Sequence, residues 1–86
     1  MRILFHKIFE KKYIKLQQSE KRKFKERKDI FLKTPFHPIL NKHSLHGKYL
    51  GYSSINITGN LRAVYKLLDN STVIFVDIDT HSNLYS

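Results

Sequence analysis

The sequence predicts an α+β fold in the order β-α-α-β-β-β, a small antiparallel sheet packed against two N-terminal helices. Three observations carry this. Apolar residues recur at helical spacing between residues 7 and 33, and short apolar alternations fill residues 50–78. Thr58-Gly59-Asn60 and Asp69-Asn70-Ser71 interrupt those alternations with residues that tolerate the backbone angles of tight turns. At 86 residues there is room for one domain, residues 1–86, with one small core.

Arg2-Ile3-Leu4-Phe5-His6 reads as a first strand. The period then changes: Phe9, Tyr13 and Leu16 fall at i, i+4 and i+7 with Ile8 beside them, predicting an amphipathic helix over 7–17. Lys7, Lys11, Lys12 and Lys15 take its other side. Gln17-Gln18-Ser19 breaks the pattern, and Ser19 is expected to cap a second helix over about 20–33, with Glu20 at the favourable end of its dipole. Pro35 ends that helix by disfavouring helical geometry at Thr34. Because Phe24 is the single apolar side chain in the stretch KRKFKERKD, the helix is expected to meet the core through Ile30, Phe31 and Leu32 and to leave its first half exposed.

The loop PFHPILNKHSLHG comes after it, with His37, His43 and His46 but no helical i,i+4 histidine pair, nearby carboxylate or cysteine. No metal centre is expected from it. The meander comes next, with strands near 50–57, 61–67 and 72–78. A three-residue loop at Thr58-Gly59-Asn60 pairs Ile57 with Leu61, Asn56 with Arg62, Ile55 with Ala63 and Ser54 with Val64. One face then carries Ile55, Ile57, Leu61, Ala63, Tyr65 and Leu67 under the helices; the other, polar and cationic, carries Tyr52, Ser54, Asn56, Arg62, Val64 and Lys66. In the last strand Ile74, Val76 and Ile78 alternate with Val73, Phe75 and Asp77, an apolar run suited to a central strand. His81 stands at its terminus, where a side chain can enter a groove.

With 41% hydrophobic residues the chain collapses despite its 27% charged residues, so it is not a disordered tail. It has no cysteine and no long apolar run at its start, which predicts a cytoplasmic protein with no membrane partner. The net charge of +9 is lopsided. Residues 1–33 hold 12 Lys/Arg against 4 Asp/Glu, whereas residues 34–86 hold 4 against 3. That density favours a polyanionic partner, nucleic acid or an acidic protein segment.

Strand, two helices and three antiparallel strands ending in Thr80-His81-Ser82-x-Leu84-Tyr85 resemble the RelE/ParE superfamily of bacterial toxins, in particular its YafQ-like branch of messenger-RNA interferases. The resemblance spans the whole chain and rests on His43-x-Leu45-x-Gly47, Gly51-Tyr52, Val64-Tyr65-Lys66 and that C-terminal motif. It implies the toxin of a type II toxin–antitoxin system, a RelE-like fold, and an endoribonuclease that cuts messenger RNA, commonly on the ribosome, with no cofactor and no metal. It also implies a cognate antitoxin, with DNA reached only through that partner. His43 stands where the family has the histidine of its loop motif, His81 where it has the histidine near the C-terminus, and Tyr85 where an aromatic closes the site. Arg62 matches the RelE-like arginine that stabilises phosphate charge. Asn56 and Asn60 replace a His and an Asp of the YafQ type, Asp77 replaces an Arg, and Ser53 replaces an arginine common after the Gly-Tyr pair.

Metal-free RNA cleavage needs a base for the 2′-hydroxyl, an acid for the 5′-oxygen and a cation at the phosphate. Histidine serves either proton role near neutral pH, and arginine clamps phosphate. On this reading His81 is acid or base, Arg62 the phosphate stabiliser and His43 its partner or positioner. His46, Lys42, Lys48, Lys66, Asn56 and Tyr85 supply RNA contacts. Two alternatives accompany it: a ParE-like gyrase poison, which would need neither His43 nor His81, and a catalytically degenerate RNA- or antitoxin-binding module, which the replacements at 56, 60 and 77 would fit.

Overall fold

The computed structural model describes residues 1–85. Strand β1 (Arg2–Phe5) leads into helices α1 (Lys7–Ile14) and α2 (Gln18–Lys33). After a loop come β2 (His43–Ser44), β3 (Ser53–Asn56), β4 (Leu61–Asp69), β5 (Thr72–Thr80) and one turn of helix, α3 (His81–Leu84). The five strands form one sheet in the order β1-β5-β4-β3-β2, which makes β5 central as its apolar run requires. The meander is antiparallel as expected, but β1 joins β5 in parallel, Ile3 opposite Val73 and Phe5 opposite Phe75. A parallel neighbour needs a crossover, and here it comprises both helices and the rest of the sheet. Beyond Phe5 the chain turns into α1, which runs on beside the second half of β5 and packs against it.

Local chemistry sets the helix ends. His6 Nδ1 accepts the Ile8 N–H at 3.1 Å and caps α1. The start of α2 differs from the expected Ser19 cap: the Gln17 N–H donates to the Glu20 carboxylate at 2.9 Å, and the helix begins at Gln18. Glutamate three residues along binds the orphan donor there, so the serine hydroxyl is not needed. The far end lies at Lys33, with the Thr34 N–H on the Ile30 carbonyl and Pro35 immediately after.

One face of the sheet meets the helices through an aromatic cluster. Phe75 lies 5.8 Å from Phe9, 5.5 Å from Phe24 and 6.0 Å from Phe31, ring centroid to ring centroid, with Tyr65 at 5.6 Å. Phe24 corrects the expectation that the first half of α2 is exposed: it is deeply buried, and with Phe31 seven residues on it makes the stripe by which the helix docks. A single phenylalanine buries enough area to anchor two turns of otherwise charged helix. Ile8 and Leu32, both assigned to the core, point largely outward instead.

The β3–β4 register agrees with the sequence reading, Ser54 opposite Val64, Ile55 opposite Ala63 and Asn56 opposite Arg62. The β4–β5 pairing is shifted by two bulges. Opposite Val64 and Tyr65 stand Asp77 and Phe75, so Val76 is an extra residue and Phe75 and Ile78 share the helix-covered face. A second irregularity at Leu68 closes the β4–β5 hairpin. Beyond Tyr65, β4 emerges from under the helices, and Leu67, expected in the core, is 56% exposed.

The opposite face is not simply polar. Val64 and Ser54 are fully covered there, because Leu45 from the loop and Leu84 from α3 close over Val64 with Tyr49, Tyr52 and Val76 around them. Among the described residues no helix is long and apolar enough to cross a membrane.

Candidate active site

Between the loop that carries β2 and the closing turn α3 lies a groove of about 430 Å³. His43, His46, Arg62, His81 and Tyr85 all line it, with Ser54 at its floor. Three separate elements bring them together.

His43 is a strand residue here, opposite Ser54 in the short β2–β3 ladder. Asn41, in the left-handed region at φ 45° and ψ 53°, turns its carbonyl onto the His43 ring, and Nδ1 lies 2.6 Å from that oxygen. A carbonyl can only accept, so Nδ1 carries the proton and the neutral ring keeps its lone pair on Nε2. Asparagine is among the few residues that adopt this backbone region readily.

Arg62 and His81 depend on the same hairpin loop. The arginine Nη1 donates to the carbonyls of Thr58 at 3.0 Å, Gly59 at 3.2 Å and Leu61 at 3.3 Å. Among the described residues this leaves Nη2 and Nε without a hydrogen-bond partner. The His81 N–H donates to the Asn60 carbonyl at 2.8 Å, fixing the start of α3 beside the same loop. Asn60 thus contributes through its backbone.

Tyr85 closes the groove. Its ring centroid is 4.6 Å from that of His81, and its hydroxyl meets the Ser54 hydroxyl at 3.2 Å. Ser54 therefore touches the positions of both His43 and Tyr85, a role the sequence reading missed. The available signal was its predicted pairing with Val64, on the same sheet face as Arg62.

Asp79 lies opposite Arg62 on the neighbouring strand and would neutralise it if free. It is engaged elsewhere. Its carboxylate accepts from Lys12 Nζ at 3.1 Å, Asn83 Nδ2 at 2.9 Å and the Thr80 N–H at 2.8 Å. Burial works against its ionised form, but these donors prevail and hold its pKa below the ordinary value of 3.8. Asp77, buried, accepts from Lys12 Nζ at 2.8 Å and from the Tyr49 hydroxyl. Burial and then this carboxylate push the Tyr49 pKa up to about 12. Lys12, expected on the solvent side of α1, instead bridges two β5 acids; burial disfavours its charge, yet Asp77 and Asp79 raise its pKa above 10.5. Asp77 accordingly lies outside the groove.

The remaining candidates spread out. Lys42 stands over the Phe36 ring in an adjoining depression, Lys48 over Tyr49 and Lys66 over Tyr52. Asn56 ends β3 opposite Arg62 but is not part of the groove wall. Two histidines serve as caps: His6 for α1, and His37, whose Nδ1 accepts the Ile39 N–H at 3.1 Å. Among the described residues no three His, Cys, Asp or Glu side chains are grouped as metal ligands.

YafQ from E. coli superposes with a TM-score of 0.78 at 22% identity, covering all of both chains. The fold is that of the RelE/YafQ toxins. The YoeB/ParE toxin from Agrobacterium tumefaciens gives a TM-score of 0.78 at 20% identity over 94% of this chain and 99% of that one. The RelE–RelB complex from Pyrococcus horikoshii gives 0.72 at 20% identity over 92% of each. No protein-family model and no curated protein matches the chain.

Proposed function

We propose that this protein is the toxin of a type II toxin–antitoxin pair and that it cuts messenger RNA as it is translated, in the cytoplasm, under the control of an antitoxin. One observation carries the reading. In a fold shared with YafQ and RelE, a single groove gathers three histidines and an arginine from three elements, with an aromatic at its mouth.

The groove supports a balanced reaction. His43 Nε2 takes the proton of a ribose 2′-hydroxyl, and the 2′-oxygen attacks the adjacent phosphorus. The phosphorus–O5′ bond breaks as His81 delivers a proton to the departing 5′-oxygen, leaving a 2′,3′-cyclic phosphate and a 5′-hydroxyl. Arg62, anchored through Nη1 to the hairpin carbonyls, turns its remaining N–H groups to the phosphoryl oxygens as charge builds. Positioned in advance, it loses little freedom on binding.

His81→Ala and Arg62→Ala are each expected to lower cleavage of translated messenger RNA by about 10²–10⁴-fold. His81→Ala should stay within about 0.5 kcal/mol of wild type in stability, because His81 is exposed, whereas Arg62→Ala also loses the bonds to the hairpin carbonyls and should cost about 1–2 kcal/mol. Primer extension on translated RNA, with thermal melts alongside, reads both quantities. If His81→Ala cuts as well as wild type, the groove chemistry is wrong. A second reading, a silent antitoxin-binding module, draws on Asp77, which stands where the YafQ type has an arginine yet is committed to Lys12 and Tyr49. It predicts a wild type that captures an antitoxin but never cuts.

A further inference from the structure

The depression beside the groove contains an exposed aromatic that the proposed chemistry does not use. Phe36 is 76% exposed, and Lys42 Nζ lies 4.3 Å from its ring centroid, so one ring face carries the ammonium while the other meets solvent. A ring this exposed buries little apolar area in the fold.

Its display is rigid. The His37 N–H donates to the Thr34 carbonyl at 2.9 Å, closing a turn with Pro35 and Phe36 at its centre. Pro38 opens a single 3₁₀ turn, Pro38–Leu40, capped by His37 and anchored by Leu40, which is fully buried. Arg27 Nη1 donates to the Ile39 carbonyl at 2.9 Å and ties the loop to α2. Two prolines, a cap and a buried leucine have already fixed the backbone that carries the ring, so a ligand need not order the loop to use it.

The depression and the groove share Asn41 and Ser44 in their walls and therefore adjoin. Lys42 lines the depression and Arg62 the groove, on either side of these shared residues. We infer that Phe36 is a stacking platform for a nucleobase of single-stranded RNA flanking the phosphate in the groove, with Lys42 holding the adjoining backbone. This rests on the function proposed above and adds a subsite to it. Two features favour RNA over a protein partner: a cation placed against the ring, and polar walls from His37, Asn41 and Ser44 leading to the groove. Aromatic rings accept any base on a free π-face, and a neighbouring cation takes the phosphate.

The chain has no tryptophan, so Phe36→Trp installs a unique fluorophore at the platform. The probe is a single-stranded hexanucleotide, 2′-O-methylated throughout so that no 2′-hydroxyl can attack, compared with an abasic strand of the same length and phosphate count. The expected result is tryptophan quenching by the base-bearing strand and little by the abasic one. In the parent sequence, Phe36→Ala should bind the base-bearing strand roughly 5- to 100-fold more weakly, with Phe36→Tyr near wild type. Equal quenching by both strands, or unchanged affinity in Phe36→Ala, overturns the platform. So does a Phe36→Ala defect confined to a protein partner. Because nothing in this assay is cut, stacking stands if the nuclease reading fails, and cleavage without quenching would remove the platform alone.

Discussion

The two faces of the sheet are built on different principles. Under the helices, Phe9, Phe24, Phe31, Tyr65 and Phe75 interlock with Ile55, Ile57, Ala63 and Ile78 in one continuous cluster. On the other face, among the described residues, the buried apolar cluster is Leu45, Val64 and Leu84, and the groove occupies the space beside them. Charge divides the other way. The helices that cover the large core carry most of the basic excess, whereas the groove has one arginine and three histidines. One face supplies stability and a broad positive field; the other supplies a few positioned polar groups on a thin apolar base. A polyanion is attracted by the first and, on the proposed function, processed by the second.

This contrast is broken most forcefully at its centre. Phe75 contacts Phe5, Phe9, Phe24, Phe31 and Tyr65, and Phe75→Ala should cost about 3–5 kcal/mol. For a domain of this size that lowers the melting temperature by more than about 12 °C, which differential scanning calorimetry will register. Leu84→Ala removes a buried side chain from the smaller cluster, where solvent is close and the lost contacts are fewer. It should cost about 2 kcal/mol, at the low end for such truncations. Its effect on activity should exceed its effect on stability, because Leu84 holds down the turn that carries His81 and Tyr85. If the two variants melt alike, the faces are energetically equivalent and the contrast fails.

Much of this architecture is legible in the residues themselves. Thr58-Gly59-Asn60 sets the β3–β4 register, and that register alone places Arg62 away from the helices. The motif around His81 locates the other wall of the groove. What periodicity cannot show is a bulge: Val76 looks like one more member of an alternation, yet it shifts every later residue of β5 to the opposite face. Composition misleads at Phe24 for a related reason, since a charge-rich window hides one large aromatic whose burial decides how α2 docks. The bridges from Lys12 to Asp77 and Asp79 join residues 65 and 67 positions apart, beyond the reach of local pattern. Ser54 is a similar case, its partner Tyr85 lying 31 residues away.

Ser54→Ala sharpens the comparison on a smaller scale. It deletes one hydroxyl contact under the groove while leaving volume and backbone pairing nearly unchanged, so the stability loss should be about 0.5–1.5 kcal/mol. On the proposed function, Tyr85 then closes less firmly over His81, and RNA cleavage should fall by more than the melt predicts. Tyr85→Phe removes the same contact from the other side, and in combination the two losses should be less than additive. Strict additivity would mean that the 3.2 Å contact couples nothing.

The smallest effect concerns the strut between α1 and β5. Lys12 is 39% exposed in its side chain, so solvent screens its bridges, and Lys12→Met should cost only about 0.2–1 kcal/mol. The pH dependence of that difference is more informative than its size. Lys12 has its pKa raised above 10.5 in the fold, so its contribution is complete below that pH and is lost as pH rises through the raised value. Asp79 has its pKa lowered below 3.8, so its contribution is present above that pH and is lost as pH falls through the lowered value. The gap between wild type and Lys12→Met in urea midpoint should therefore be flat from about pH 5 to pH 9 and close toward zero below about pH 3. About 0.5 M salt at neutral pH should narrow it as well, since the Debye length then falls to a few ångströms. A gap that persists at about pH 3 would mean that the ionised bridges to Asp77 and Asp79 are not what Lys12 contributes to the strut.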